Sequence, residues 1–172
     1  MAHDLRPLSN IEMILIHRNT AGGTAEAVRD FHTYDPDYRM RLFPYHFFID
    51  YVAEDMAGEY GMGDVVVQQV HSLDVICPHS SGENRKAVGI ALNIDGRKYP
   101  PSGQMLTAVS ELCARLHAAF PRAAVRGHSR MKKCPGQFVP VQWIAARTGM
   151  LAQHYRGSGL GCIRSKYDGL DT

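Results

Sequence analysis

Cysteine is scarce in this chain. Its 172 residues hold four, Cys77, Cys113, Cys134 and Cys162, and no two of them form a CxxC pair. That scatter argues against a short-spaced zinc module and against a disulfide framework, leaving thiols or isolated metal ligands. Long apolar runs are missing too. None approaches the roughly 18 residues that a membrane-spanning helix needs, so no span is expected. The opening Met-Ala-His-Asp-Leu-Arg-Pro has no apolar h-region, so no secretory signal peptide is expected and synthesis is expected in the cytoplasm. There is little excess of either charge: 19 Lys and Arg against 17 Asp and Glu leave a net charge of +2. No helix-turn-helix, zinc-finger or RNP pattern is present, so nucleic acid is not an expected partner. Internal repeats and low-complexity blocks are absent as well.

What is present suits a globular domain. Apolar residues make up 45% and charged residues 21%, ordinary for a folded chain and wrong for a disordered one. A chain this long can bury a core without covalent staples. The 16 glycines and 9 prolines promise ample loops. One domain over residues 1–152 is expected, followed by a tail over 153–172 that carries Gly157, Gly159, Gly161 and Gly169. Charge is unevenly placed. Residues 1–121 hold 10 Lys and Arg against 15 Asp and Glu, whereas residues 122–172 hold 9 against 2. The basic third is either a solvated face or a surface that attracts an anionic polymer.

Apolar periodicity predicts strands over Ile11–His17, His46–Val52, Val65–Val70, Ala87–Ile94 and Ala123–Arg126. The fourth is the most hydrophobic and is expected at the centre of the sheet. Helices are predicted over about 25–34, from a Thr24 cap to the stop at Asp35-Pro36, and from the Ser102 cap to Pro121. A last helix is predicted from Val141 to about Gln153. In the long helix Leu106, Val109, Cys113, Leu116 and Phe120 fall on one stripe. Gly58, Gly61 and Gly63 mark a turn, and residues 71–86 a polar loop. This interleaving predicts an α/β fold, a central mixed sheet of about five strands flanked by helices.

Three residues stand out for chemistry. His17 ends the first strand, His128 follows the last, and Cys134 lies six positions further on in Lys-Lys-Cys-Pro-Gly. Strand ends converge on one edge of a sheet, so remote segments can build one site. A catalytic zinc takes three protein ligands such as imidazole nitrogen and thiolate sulfur, and keeps one position open for water. The plainer alternative is that strand-end histidines are merely hydrogen-bonded and that Cys-Pro-Gly is merely a turn.

Several segments, in order, resemble a known family. They are Ile14-Leu15-Ile16-His17 with Thr20-Ala21-Gly22; Phe31-His32 followed by Tyr45-His46-Phe47-Phe48-Ile49-Asp50; His79 and Asn84 with Val88-Gly89-Ile90-Ala91-Leu92; Pro101 with Gln104 and Leu106; and Gly127-His128 with Cys134-Pro135-Gly136. From about Ile11 to Phe138 the chain resembles the zinc-dependent N-acetylmuramoyl-L-alanine amidases, which share a fold with peptidoglycan recognition proteins and include amidase-type phage lysozymes. The resemblance implies Zn2+ held by His17, His128 and Cys134. It implies catalytic roles for Tyr45 beside the metal and for Lys132, two residues before the cysteine. It implies a peptidoglycan or muropeptide substrate, with His79, Ser80, Asn84 and Arg85 expected to line the groove.

Two departures from the family pattern stand out. Only five residues separate His128 from Cys134, fewer than in relatives. Ala91 and Asn93 are uncharged where some bacterial members carry glutamate. The activity implied is cleavage between N-acetylmuramic acid and L-alanine, endolysin-like and bacteriolytic. The alternatives are a non-catalytic peptidoglycan-binding module and a cytosolic muropeptide-recycling amidase. A monomer is expected. It would act on the cell wall after release through a holin or by injection, or in the cytoplasm if it recycles muropeptides. The basic third generates a prediction. Binding to purified anionic cell wall should weaken as salt rises through the range that screens surface charge, and equal affinity in low and high salt would assign those charges to solvation alone.

Overall fold

The computed structural model describes residues 4–19, 25–34, 42–51, 64–128 and 134–149. The element order is a short 3-10 turn (Leu8–Asn10), β1 (Met13–Arg18), α1 (Ala25–Tyr34), β2 (Phe47–Tyr51), β3 (Val65–Gln69), β4 (Ala87–Leu92), α2 (Gly103–Ala119), β5 (Ala124–Gly127) and α3 (Val141–Thr148). The expected α/β class and five-stranded mixed sheet are observed. The Thr24 cap, the Asp35-Pro36 stop, the turn at Gly58, Gly61 and Gly63, and the tail over 153–172 lie outside the described residues.

The sheet order is β3-β2-β4-β1-β5. β4 pairs in parallel with both β1 and β2, and β1 with β5, while β3 adds an antiparallel edge. All six residues of β4 are buried, which explains why its sequence is an unbroken apolar run rather than an alternation. On β1, alternate side chains take opposite faces. Ile14 and Ile16 join the main core with Phe47, Ile49, Val88, Ile90 and Val125. That face is covered by α2 and α3, which supply Met105, Val109, Leu112, Cys113, Leu116 and Ile144. The other face is covered in part by α1, whose Val28 packs with Phe43, Tyr45, Phe48 and Ala91.

α2 forms as its sequence predicts. The Ser102 hydroxyl accepts from the Met105 N–H at 3.2 Å, satisfying one of the open donors of the first turn. The buried stripe is wider than the predicted one. It includes Met105 and Leu112, while Leu106 and Phe120 are only partly buried. α3 ends at Thr148, short of the predicted Gln153, because Gly149 adopts a left-handed φ of 68° and donates to the carbonyls of Ala145 and Ala146. A glycine in this conformation terminates a helix.

Two buried polar residues tie the N-terminal segment and the loop over 71–86 to the sheet. The Arg6 guanidinium donates to the carbonyl oxygens of Leu73, Asn84 and Ala87 at 2.6–3.0 Å. His46 accepts from the Gly89 N–H at 3.0 Å through Nδ1 and lies 2.9 Å from the Val75 carbonyl through Nε2. Burial first, then the positive potential around His79 and Arg6, hold the His46 imidazole down at about 3. An unfolded chain therefore takes a proton at this position near the ordinary histidine value of about 6.5, well before the folded one does. The stability that His46 contributes is complete above that value and is lost as pH falls towards about 3. His46 should add up to about 1.4 kcal/mol of lost stability per pH unit across that window. Urea melts of wild type and His46→Gln between pH 7 and pH 4 check this: the variant should lose less stability on acidification, and parallel profiles would contradict it.

Candidate metal centre

The pairing of β1 with β5 places Ile16 opposite Gly127, so His17 and His128 stand side by side one step further on. The His128 N–H continues this ladder by donating to the Ile16 carbonyl at 3.0 Å. Adjacent strands lie about 4.8 Å apart, and the two imidazole rings stack with centroids 4.3 Å apart. On the other side of His17, the register places Ala91 of β4. Its small side chain leaves the neighbourhood of the ring unfilled by β4.

Cys134 reaches the pair through a tight turn, Cys134-Pro135-Gly136, whose Cys134–Pro135 bond is cis. Glycines make the close approach possible. A Cβ on Gly127 would lie 2.6 Å from Pro135 Cδ, and one on Gly96 would lie 2.4 Å from the Pro135 carbonyl oxygen. The Phe138 N–H donates to the Gly96 carbonyl at 2.9 Å and locks the turn against the loop after β4. As a result, Cys134 Sγ lies 4.0 Å from His17 Nδ1.

One donor atom from each of His17, His128 and Cys134 lies within 4.8 Å of the others. A tetrahedral zinc with Zn–N of about 2.0 Å and Zn–S of about 2.3 Å holds its N and S ligands about 3.5 Å apart, so binding would draw the Cys134–His17 pair, now 4.0 Å apart, together by about half an ångström, and the widest separation in the set, up to 4.8 Å, by up to about an ångström more than that. The protonation states suit a bound metal. Burial, then the neighbouring His79 and His128, push the His17 imidazole well below the usual range. Burial also lowers His128, which the Glu83 carboxylate partly counters and Arg126 reinforces. Metal ligation requires neutral imidazole. Burial pushes the Cys134 thiol up, against a hydrogen bond from the Arg18 N–H and the Arg18 charge, which favour thiolate. A coordinated cation completes that deprotonation.

Among the other expected site residues, Tyr45 is buried, with its ring centroid 4.9 Å from that of His17. Lys132 lies outside the described residues. In the loop over 71–86, His79 and Ser80 are buried, at 7% and 6% exposure. His79 Nδ1 lies 3.2 Å from His17 Nε2. The Ser80 N–H donates to Asn84 Oδ1 at 2.6 Å, and the Ser80 hydroxyl donates to Glu83 at 2.9 Å. Asn84 closes the loop, and Arg85 is exposed.

Sequence reasoning missed Arg6, Glu83 and Asp50. Nothing in the local sequence marks Arg6 or Glu83 as a partner of remote segments. Asp50, at the end of β2, accepts from Asn93 at 2.7 Å, and Asn93 accepts from Asn19 at 2.8 Å. Burial pushes the Asp50 carboxyl up, while the Asn93 amide and the Tyr51 N–H pull it down. The periodicity of β2 gave no sign of this polar row.

Residues 7–137 match a protein family described as N-acetylmuramoyl-L-alanine amidase. The chain belongs to this amidase family. No curated protein sequence matches it. Solved structures with the same fold include the amidase endolysin LysCS from Clostridium intestinale, at 18% identity and a TM-score of 0.67, covering 88% of this chain and 93% of that one. The Ph2119 endolysin of a Thermus scotoductus bacteriophage is similar at 19% identity and 0.64, covering 85% and 89%. Drosophila PGRP-LB is similar at 20% identity and 0.64, covering 89% and 88%. The family thus pairs with an α/β scaffold that serves both phage lysis proteins and recognition proteins. Within the described residues of this amidase-family chain, no helix is long and apolar enough to cross a membrane.

The close approach at Gly96 generates a prediction. Gly96→Ala should cost about 1–3 kcal/mol, the usual penalty for overpacking, and should weaken metal uptake by moving the Cys134 turn. Denaturant melts and zinc titration of the same variant check both effects.

Proposed function

We propose that this chain is a zinc-dependent amidase that hydrolyses the bond between N-acetylmuramic acid and L-alanine in peptidoglycan, as an endolysin-like, bacteriolytic enzyme. The observation that carries the reading is the convergence of His17, His128 and Cys134, with donor atoms within 4.8 Å, in a chain of the amidase family. Bound at these three residues, zinc supplies a Lewis acid and a water acidified towards neutral pH.

The chain's own residues do the rest. Attack on the scissile carbonyl puts negative charge on its oxygen. The Tyr45 hydroxyl, as a donor, and the Lys132 ammonium, as a cation, stabilise that charge. The leaving amine of L-alanine takes its proton from Tyr45, Lys132 or water. Asn84 and Arg85 meet the substrate from the loop over 71–86, with Ser80 and His79 behind them. The basic segment over 122–172 draws the enzyme to anionic wall polymer. A monomer released to the wall by a holin or by injection would meet the polymeric substrate there. A muropeptide-recycling role differs only in where the substrate is met.

The reading of a non-catalytic binder is disfavoured by the presence of Cys134 at ligand distance from His17. A zymogram on purified sacculi, with and without chelator, tests the choice. Chelator-sensitive clearing is expected, and chelator-insensitive binding without clearing would replace the enzyme with a binder. Cys134→Ser should lose stoichiometric zinc, because a neutral hydroxyl replaces a thiolate. Tyr45→Phe should lower turnover by about 10²–10³, the usual loss for one such donor, and full turnover would remove Tyr45 from the chemistry. Product analysis on polymer against soluble muropeptide separates lysis from recycling.

A further inference from the structure

We propose that His79 is a positioning residue that fixes the tautomer and orientation of His17, so that His17 presents Nδ1 to the metal. The inference rests on the metal reading above and deepens it.

A chain of hydrogen bonds allows one assignment. His79 Nε2 lies 3.2 Å from the carbonyl oxygen of Ala87, the first residue of β4. A carbonyl only accepts, so Nε2 carries the proton. A neutral imidazole has one N–H, so His79 Nδ1 is a bare acceptor. That atom lies 3.2 Å from His17 Nε2, which must therefore be the protonated nitrogen of His17. The lone pair of His17 is left on Nδ1, the atom 4.0 Å from Cys134 Sγ. The backbone of β4 thus dictates which nitrogen of a β1 residue can bind a cation.

The relay is held rigidly at its far end. The Ala87 carbonyl also accepts from Arg6 Nη1 at 2.7 Å. The His79 ring lies over Gly89, where a Cβ would come within 2.8 Å of His79 Cγ. The ring is buried and stands edge-on to His17, with an interplanar angle of 88°. An acceptor fixed in this way behind a metal-binding histidine holds the ring's orientation and raises its basicity, and losing such a partner typically weakens metal affinity about 10- to 100-fold. Packing alone does not explain the arrangement, because an apolar side chain over Gly89 would strand the buried N–H of His17.

The test measures zinc affinity by chelator competition, independently of peptidoglycan cleavage. His79→Leu keeps bulk and removes the acceptor; it should bind zinc about 10- to 100-fold more weakly than wild type. His79→Asn restores an acceptor oxygen near the position of Nδ1 and should recover most of that loss. A folded His79→Leu protein with wild-type affinity overturns the proposal, as does an asparagine variant no tighter than the leucine one. If His79→Leu fails to fold, long-range 1H–15N spectra of metal-free wild type decide. A proton on His17 Nε2 supports the relay, and one on Nδ1 overturns it. Wild type that takes up no zinc would sink the metal reading itself, which separates that failure from this one.

Discussion

The parallel register of β1 against β5 is the constraint on which the site depends. Ile16 faces Gly127, so the next residues out, His17 and His128, become neighbours although they are far apart in the chain. Apolar burial enforces the register. Ile14 and Ile16 belong to the core beneath α2 and α3, so side-chain alternation sends His17 to the opposite face. A slip of one residue would take the isoleucines out of the core beneath α2 and α3 and drive the histidine into it. Each fully buried aliphatic side chain is worth about 1.5–3 kcal/mol, so such a slip is costly several times over. The metal geometry is thus an indirect product of hydrophobic packing, with little demanded of the ligands beyond standing at the strand ends.

That division explains what could be read from the sequence. β4 and α2 were legible because burial on both faces, or on one stripe, writes a pattern into adjacent residues. The three candidate ligands were legible because His17 and His128 stand at predicted strand ends, Cys134 follows six positions on, and the motifs follow one another in family order. The order of the strands was not legible, since parallel pairing joins segments with nothing in their local sequence to name the partner. The partners of Arg6 and His79 were not legible for a related reason. Their carbonyl and imidazole partners come from remote segments. At the C-terminal end, Gly149 was read as helix interior although its left-handed φ ends α3.

The electrostatics behind the site are unusual in one respect. Arg6 is 3% exposed, and its guanidinium is met by backbone carbonyls and by the His46 ring, with no carboxylate among the described residues at ion-pair distance. A buried cation normally requires compensation, and here several carbonyl dipoles provide it. The charge, countered only at longer range by Cys77 and Asp74, reaches its neighbours, lowering both His46 and His79, with burial the larger cause in each. Arg6 therefore favours neutral imidazoles behind the candidate ligands, which is the form that a hydrogen-bond relay between histidines requires. The same guanidinium fastens the loop over 71–86 to the start of β4, so that the fold and the protonation pattern share one anchor.

The absence of a β4 carboxylate narrows the chemistry under the amidase reading. The residue beside His17 on β4 is Ala91, and Asn93 donates to Asp50 instead of offering a charge. Glu83 is the carboxylate that acts on His128, but one of its oxygens pairs with Arg126 and the other accepts from Ser80. With both oxygens engaged, Glu83 is better suited to biasing the His128 environment than to accepting a proton. Proton handling then falls to Tyr45, 4.9 Å from His17 between ring centroids, to Lys132, or to water. An enzyme built this way relies on a tyrosine and a lysine where some bacterial relatives have a glutamate. It would draw its catalytic power chiefly from stabilising the charge that develops on the carbonyl oxygen, with general-base assistance a smaller contribution.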